Sequence, residues 1–177
     1  MTTSGGLARF DGREFRVYDL VGPEGLPTHR LVSLAHDDAG TLWLGSEHHG
    51  LLSFDGERVH RVPVSEAVDL SEVSDIHSRG SEVWAATTAG LVDAKRRTVV
   101  RDADGESFPP LRTTFIDEQG RVWFGGVRGL GLVEDGVGRW LWTSTEVWSI
   151  ASDRAGGLWV LTLNGWVSTA KGWRPRS

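Results

Sequence analysis

Four tandem copies of one strand-and-turn pattern, each built around a Trp, predict an all-β chain folded as a β-propeller. The four residues are Trp43, Trp84, Trp123 and Trp159, roughly 40 residues apart, and their strands read TLWLGS, EVWAAT, RVWFGG and GLWVLT. A turn Gly precedes each strand (Gly40, Gly80, Gly120, Gly156) and another follows it (Gly50, Gly90, Gly129, Gly165). Both faces of the Trp strand are apolar: Leu42 and Trp43 are neighbours and point to opposite sides of a sheet. A sandwich strand alternates because one of its faces meets water. Here both faces ask for cover, as in a blade held between two other blades.

Each element follows from this frame. Before the first Gly of each copy stands an alternating strand: LVSLAHD, VSDIHS, RTTFID or VWSIASD. After the second Gly comes a third strand: LLSFD, LVDAK, LGLVED or WVSTA. A more polar fourth strand is visible as RVHRVPV and RTVVR. The blades are expected over 29–66, 71–102, 110–143 and 145–177. Residues 1–22 align with the close of a copy, since Gly6, Leu7, Phe10, Asp11 and Gly12 fall on Gly50, Leu51, Phe54, Asp55 and Gly56. They read as an N-terminal half-blade, the last two strands of a copy without its first two. Four blades and a half predict a partial ring or a fragment of a larger propeller; a small ring of four or five blades is the alternative. An open ring exposes an apolar blade edge at each end, which predicts self-association.

Composition narrows the function. The chain has 177 residues, one domain's worth, with nine Trp, 23 Gly, one Met and one Tyr. It has no Cys, which excludes disulfides, thiolate metal sites and cysteine catalysis. A net charge of −5 with mixed signs argues against nucleic acid as partner, and Lys95, Arg96 and Arg97 read as a solvated turn. No apolar run is long enough to cross a bilayer, so no membrane contact is expected of this segment. The N-terminus lacks the basic start and apolar stretch of a secretory signal, which leaves the compartment open.

The stretch from Val32 to Asp55 resembles the two-component regulator propeller repeat. Val32 and Leu34 match its apolar pair, and Asp37 and Gly40 match its turn. Leu42, Trp43, Leu44, Gly45 and Ser46 match its strand, and Gly50, Leu51, Phe54 and Asp55 match its close. The third copy matches through Asp117, Gly120, Val122, Trp123, Phe124, Gly125, Gly129 and Leu130. The fourth matches through Asp153, Gly156, Leu158, Trp159 and Val160, then departs with Trp166 where Leu is usual. The second departs most, with His77 in the Asp position and Ala86 in the Gly position. The resemblance implies the ligand-sensing, non-catalytic part of a bacterial signalling protein, extracytoplasmic, binding a small ligand, often a saccharide.

Propeller ligands sit near the axis, on the face that carries the loops between second and third strands and between blades. The candidates there are His29, Arg30, His48, His49, Thr88, Arg112, Arg128 and Asn164. They offer donors for hydroxyls or carboxylates, and Arg112 and Arg128 suit an anionic group. His48 and His49 are adjacent and would point apart on a strand, so no metal site is expected of them, nor any cofactor. Asp37, Asp117 and Asp153 are expected to close turns by accepting backbone N–H bonds. Trp140, Trp142, Trp148, Trp166 and Trp173 stand outside the repeat series, as extra packing or as a sugar-stacking surface. Two rival functions remain. A lyase-type propeller acting on a cyclic ester would need a His base, His48 or His77, and a divalent ion. A protein-interaction platform would use one flat face of the ring.

Overall fold

A computed structural model describes residues 2–3, 6–18, 26–28, 30–64, 70–153 and 156–169. These form five antiparallel sheets and no helix. The first sheet holds β1 (Thr2–Thr3), β2 (Gly6–Phe10) and β3 (Phe15–Tyr18). The second holds β4 (Leu31–His36), β5 (Leu42–Ser46), β6 (Leu51–Phe54) and β7 (Val59–Arg61). The third holds β8 (Val73–Arg79), β9 (Glu82–Thr87), β10 (Gly90–Asp93) and β11 (Thr98–Val99). The fourth holds β12 (Leu111–Ile116), β13 (Val122–Gly126), β14 (Gly129–Glu134) and β15 (Val137–Trp142). The fifth holds β16 (Val147–Ser152), β17 (Leu158–Thr162) and β18 (Gly165–Thr169).

The sheets follow one another as blades. The inner strands β4, β8, β12 and β16 pack each against the next, and each Trp strand leans on the following blade. This is the all-β propeller that the repeat predicts, and among the described residues it is an open arc. The first sheet contains β1, a two-residue end of a second strand, where the sequence predicts only the last two strands of a copy.

Trp43 shows why the pattern makes blades. Its ring lies with Val73, Ile76, Val83, Ala85 and Val92 of the next sheet. Trp43, Trp84 and Trp123 are 7%, 6% and 6% exposed, whereas Trp159, with no described blade beyond it, is 44% exposed. The Gly two residues after the Trp lets the next inner strand come close. A Cβ on Gly125 would collide with Val147, and one on Gly45 would press on Ser33 and Val73.

The turn Asp does more than close its turn. Asp37 accepts from the Thr41 N–H at 2.9 Å and, through its other oxygen, from the Trp43 indole N–H at 3.0 Å. Asp117 repeats this with Arg121 N–H and Trp123, each at 2.9 Å. A cation completes each set: Lys95 Nζ lies 2.5 Å from Asp37, and Arg121 Nε lies 2.6 Å from Asp117. Lys95 is thus committed to the seam rather than left in a solvated turn, and it also sits over the Trp43 ring. Burial alone would raise the Asp37 carboxyl, but the bonds from Lys95, Trp43 and Thr41 outweigh it and hold it below the usual carboxylate value. Asp117 is lowered in the same way, burial being outweighed by Trp123 and Arg121.

The second copy is a correction. His77 pairs with Trp84, as Ala35 pairs with Trp43 and Phe115 with Trp123, so it does not hold the Asp position. The hairpin there turns through Gly80 and Ser81 alone, and Arg79 takes the place before the turn. A turn shortened by one residue shifted the apparent alignment.

Candidate functional site

All four inner strands slip register near their starts, between Leu31 and Ser33, Val73 and Asp75, Leu111 and Thr113, and Val147 and Ser149. The extra residues are Val32, Ser74, Arg112 and Trp148. A bulge turns its extra side chain away from the ordinary alternation. Here all four line one open cleft of about 390 Å³ on the axial side, together with Glu47, His48 and Glu72.

Charge in the cleft is organised by two ion pairs. Arg112 Nε lies 2.5 Å from Glu146 Oε1, and the guanidinium carbon sits 4.1 Å from the centre of the Trp148 ring. Arg30 pairs with Glu47, and His48 Nε2 lies 3.8 Å from the same Glu47 oxygen. Trp148 is 43% exposed, so part of an aromatic face remains open beside these groups. Arg112 belongs to β12 rather than to a loop, and the bulge is what brings it to the cleft.

The loops between second and third strands are shaped by one recurring hydroxyl. Ser46 Oγ donates to the Gly50 carbonyl at 2.8 Å and accepts from the His49 N–H at 2.9 Å. Thr87 does the same with Gly90 and Ala89, and Thr162 with Gly165 and Asn164. This hydroxyl gives Glu47 and His48 a fixed place at the cleft.

Of the sequence candidates, the structure brings together His48 and Arg112, with Arg30 joined through Glu47. His49 is half-buried, its Nδ1 buried with no partner, and it does not line the cleft. The Thr88 N–H donates to the Glu72 carbonyl, so Thr88 supports the rim. Arg128 lies elsewhere, with its guanidinium 5.9 Å from the Trp140 ring. Asn164 is exposed on the fifth sheet, and His29 and Trp173 lie outside the described residues. Trp140 packs on Phe108 and Phe124, Trp142 packs with the fourth and fifth sheets, and Trp166 is 59% exposed. No group of three His, Asp or Glu that could hold a metal occurs among the described residues.

Sequence reasoning missed Val32, Ser74 and Trp148 as a set. The signal was present: the adjacent apolar pairs Leu31-Val32 and Val147-Trp148 break strand alternation where the bulge falls.

Behind the cleft, one seam is polar. Asp75 accepts from the Thr113 hydroxyl at 2.9 Å and the Thr114 N–H at 3.1 Å. His77 Nδ1 accepts the Ile116 N–H at 3.1 Å, which places the ring proton on Nε2. Burial raises the Asp75 carboxyl and lowers the His77 imidazole. Arg79 donates to the Asp117 carbonyl. Three alternate residues of β8 thus stitch it to the fourth sheet, and His77 is committed to that seam.

No family model matches the chain, and no curated protein matches it. Solved structures do. The extracellular domain of BT4673 from B. thetaiotaomicron, described both as a one component and as a hybrid two component system, superposes with a TM-score of 0.71 at 16% identity over 93% of this chain and 25% of that one. PorZ, a surface component of the type-IX secretion system of Porphyromonas gingivalis, gives 0.66 at 16% identity, over 94% and 30%. Virginiamycin B lyase from Staphylococcus aureus gives 0.61 at 11% identity, over 98% and 66%. The shared property is the β-propeller. The chain spans about a quarter of the BT4673 domain.

Proposed function

We propose that this propeller is a non-catalytic ligand-binding module of an extracytoplasmic bacterial sensor, and that its axial cleft takes a small polyhydroxylated ligand, a saccharide foremost. The observation that carries this reading is the convergence of four bulge residues, one from each inner strand, on a single cleft. The chemistry suits a sugar. The open part of the Trp148 face would receive the apolar C–H side of a ring. Glu47 and Glu72 would accept hydroxyl protons, Arg112 would donate, and Ser74 could do either. The Arg112 charge is already matched by Glu146, which favours a neutral ligand over the anionic one that Arg112 and Arg128 suggested from sequence. The extracellular setting of BT4673 supports the compartment.

The test is calorimetric titration with a panel of neutral mono- and oligosaccharides. At least one should bind, and Trp148→Ala or Arg112→Ala should weaken it about tenfold or more. Binding that both variants leave unchanged, or no binding across the panel, would overturn the placement.

A further inference from the structure

The residue just before each inner strand stands at the axial end of its sheet: Arg30, Glu72, Pro110 and Glu146, ahead of β4, β8, β12 and β16. Three of the four are pinned alike. The carbonyls of Arg30, Glu72 and Glu146 accept the N–H groups of Glu47, Thr88 and Leu163 at 3.1, 3.2 and 3.3 Å. Each donor comes from the loop between the second and third strands of the same sheet. One backbone arrangement thus sets three charged side chains at one rim.

Two of these charges are matched within the protein. Arg30 pairs with Glu47, and Glu146 pairs with Arg112. Glu72 is the exception. It lines the cleft and is exposed, and among the described residues its carboxylate has no hydrogen bond and no ion pair. His48, the remaining titratable group of the cleft, lies beside Glu47 instead. The carboxylates of Glu47, Glu72 and Glu146 therefore outnumber the guanidiniums of Arg30 and Arg112, and the unmatched negative charge is that of Glu72. Its place along the arc is also defined. Trp148 belongs to the fifth sheet, Arg112 to the fourth, and Glu72 precedes the inner strand of the third, one sheet beyond Arg112 from the open indole face.

We propose that the saccharide taken by the axial cleft is an amino sugar, its ammonium group held by the Glu72 carboxylate. This inference deepens the saccharide reading and rests on it. The pairing of Arg112 with Glu146 removes the case for an anionic ligand, and the free Glu72 adds a case for a cationic substituent. A charge-assisted hydrogen bond from an ammonium is about twice as strong as one from a hydroxyl. The neutral frame of the sugar still binds through Trp148 and Arg112, and the amino group adds a preference. Because Glu72 is exposed and water screens it, that preference is about three- to fivefold.

The probes are matched by frame: glucose, glucosamine and N-acetylglucosamine, and cellobiose with chitobiose and its diacetylated form. Within each set only the substituent at C2 changes, from hydroxyl to ammonium to neutral acetamide. Calorimetric titration into the whole chain at pH 7 should show the amino member binding about three- to fivefold tighter than both neutral members. Glu72→Gln keeps an acceptor oxygen for a hydroxyl and loses the charge, so the ratio of amino to neutral affinity should fall to about one. Trp148→Ala should weaken amino and neutral members alike. Equal binding of amino and neutral members, or a preference that Glu72→Gln leaves intact, would overturn the amino-sugar assignment while the saccharide reading stands. Failure of every amino sugar to bind would overturn it as well. Failure of the neutral panel too would remove the saccharide reading with it.

Discussion

Asp117→Ala probes the device on which the blades depend. Asp117 is 3% exposed and serves four donors. One oxygen accepts the N–H groups of Gln119 and Arg121, each at 2.9 Å, and the other accepts Trp123 Nε1 at 2.9 Å and Arg121 Nε at 2.6 Å. Arg121 is exposed, so its side-chain pair is worth at most about 1 kcal/mol. The two turn N–H groups stand at the rim, and water replaces most of what they lose. The indole N–H is different: Trp123 is 6% exposed and packed against Val147 and Ile150, so its orphaned donor costs about 1–3 kcal/mol. The whole loss should be about 3 kcal/mol, which lowers Tm by roughly 6–12 °C in a chain of this size. Urea unfolding at pH 7 measures it, and Trp123→Phe completes a double-mutant cycle with a coupling of about 1–2 kcal/mol. Asp55→Ala is the control: Asp55 also closes a turn, through Glu57 and Arg58, but holds no buried donor, so its loss should be clearly smaller. A cost below about 0.5 kcal/mol for Asp117→Ala, or no coupling to Trp123, would refute the reasoning.

Gly131→Ala should destabilise by about 2 kcal/mol or more in urea unfolding, because a Cβ there collides with the Phe124 ring and presses on the Arg139 carbonyl. Asp75→Asn should leave stability at pH 7 unchanged or raised, because burial lifts the folded carboxyl above its usual value and its charged form weakens the fold as pH rises. That advantage should vanish below the usual carboxylate value, which melts at pH 7 and pH 3.5 would compare. His77 is shifted the other way, so the fold loses stability as pH falls below the usual imidazole value, and His77→Gln should flatten that decline. Asp37 and Asp117 are both lowered, so their contribution is present above the usual carboxylate value and is lost as pH falls through their lower folded values; a pH series of urea midpoints reads this.

The order of strands was legible because each boundary carries a Gly or a Trp with a local physical reason. The Trp strand reads as apolar on both faces because it touches two blades, and Trp43 and Leu44 are both buried. What needed three dimensions is whatever crosses between copies. Lys95 looked like a solvated turn residue until the next blade placed it on Asp37. His77 looked like a substituted turn Asp because the hairpin at Gly80 is one residue shorter than its counterparts. Arg112 is legible as a candidate, but its partners are Trp148 of the next inner strand and Glu146 just before that strand, about 35 residues on, and no local pattern links them. The bulges that assemble the cleft leave only the faint trace of paired apolar residues.

The most direct test of the axial cleft is the indole N–H region of the nuclear magnetic resonance spectrum during titration with the neutral saccharide panel, with the Trp148 signal assigned by Trp148→Phe. The account predicts that the Trp148 signal moves with saturation while those of Trp159 and Trp166, exposed at the end of the arc, stay in place. Movement at Trp159 or Trp166 with Trp148 unmoved would contradict it and transfer binding to the open end of the propeller.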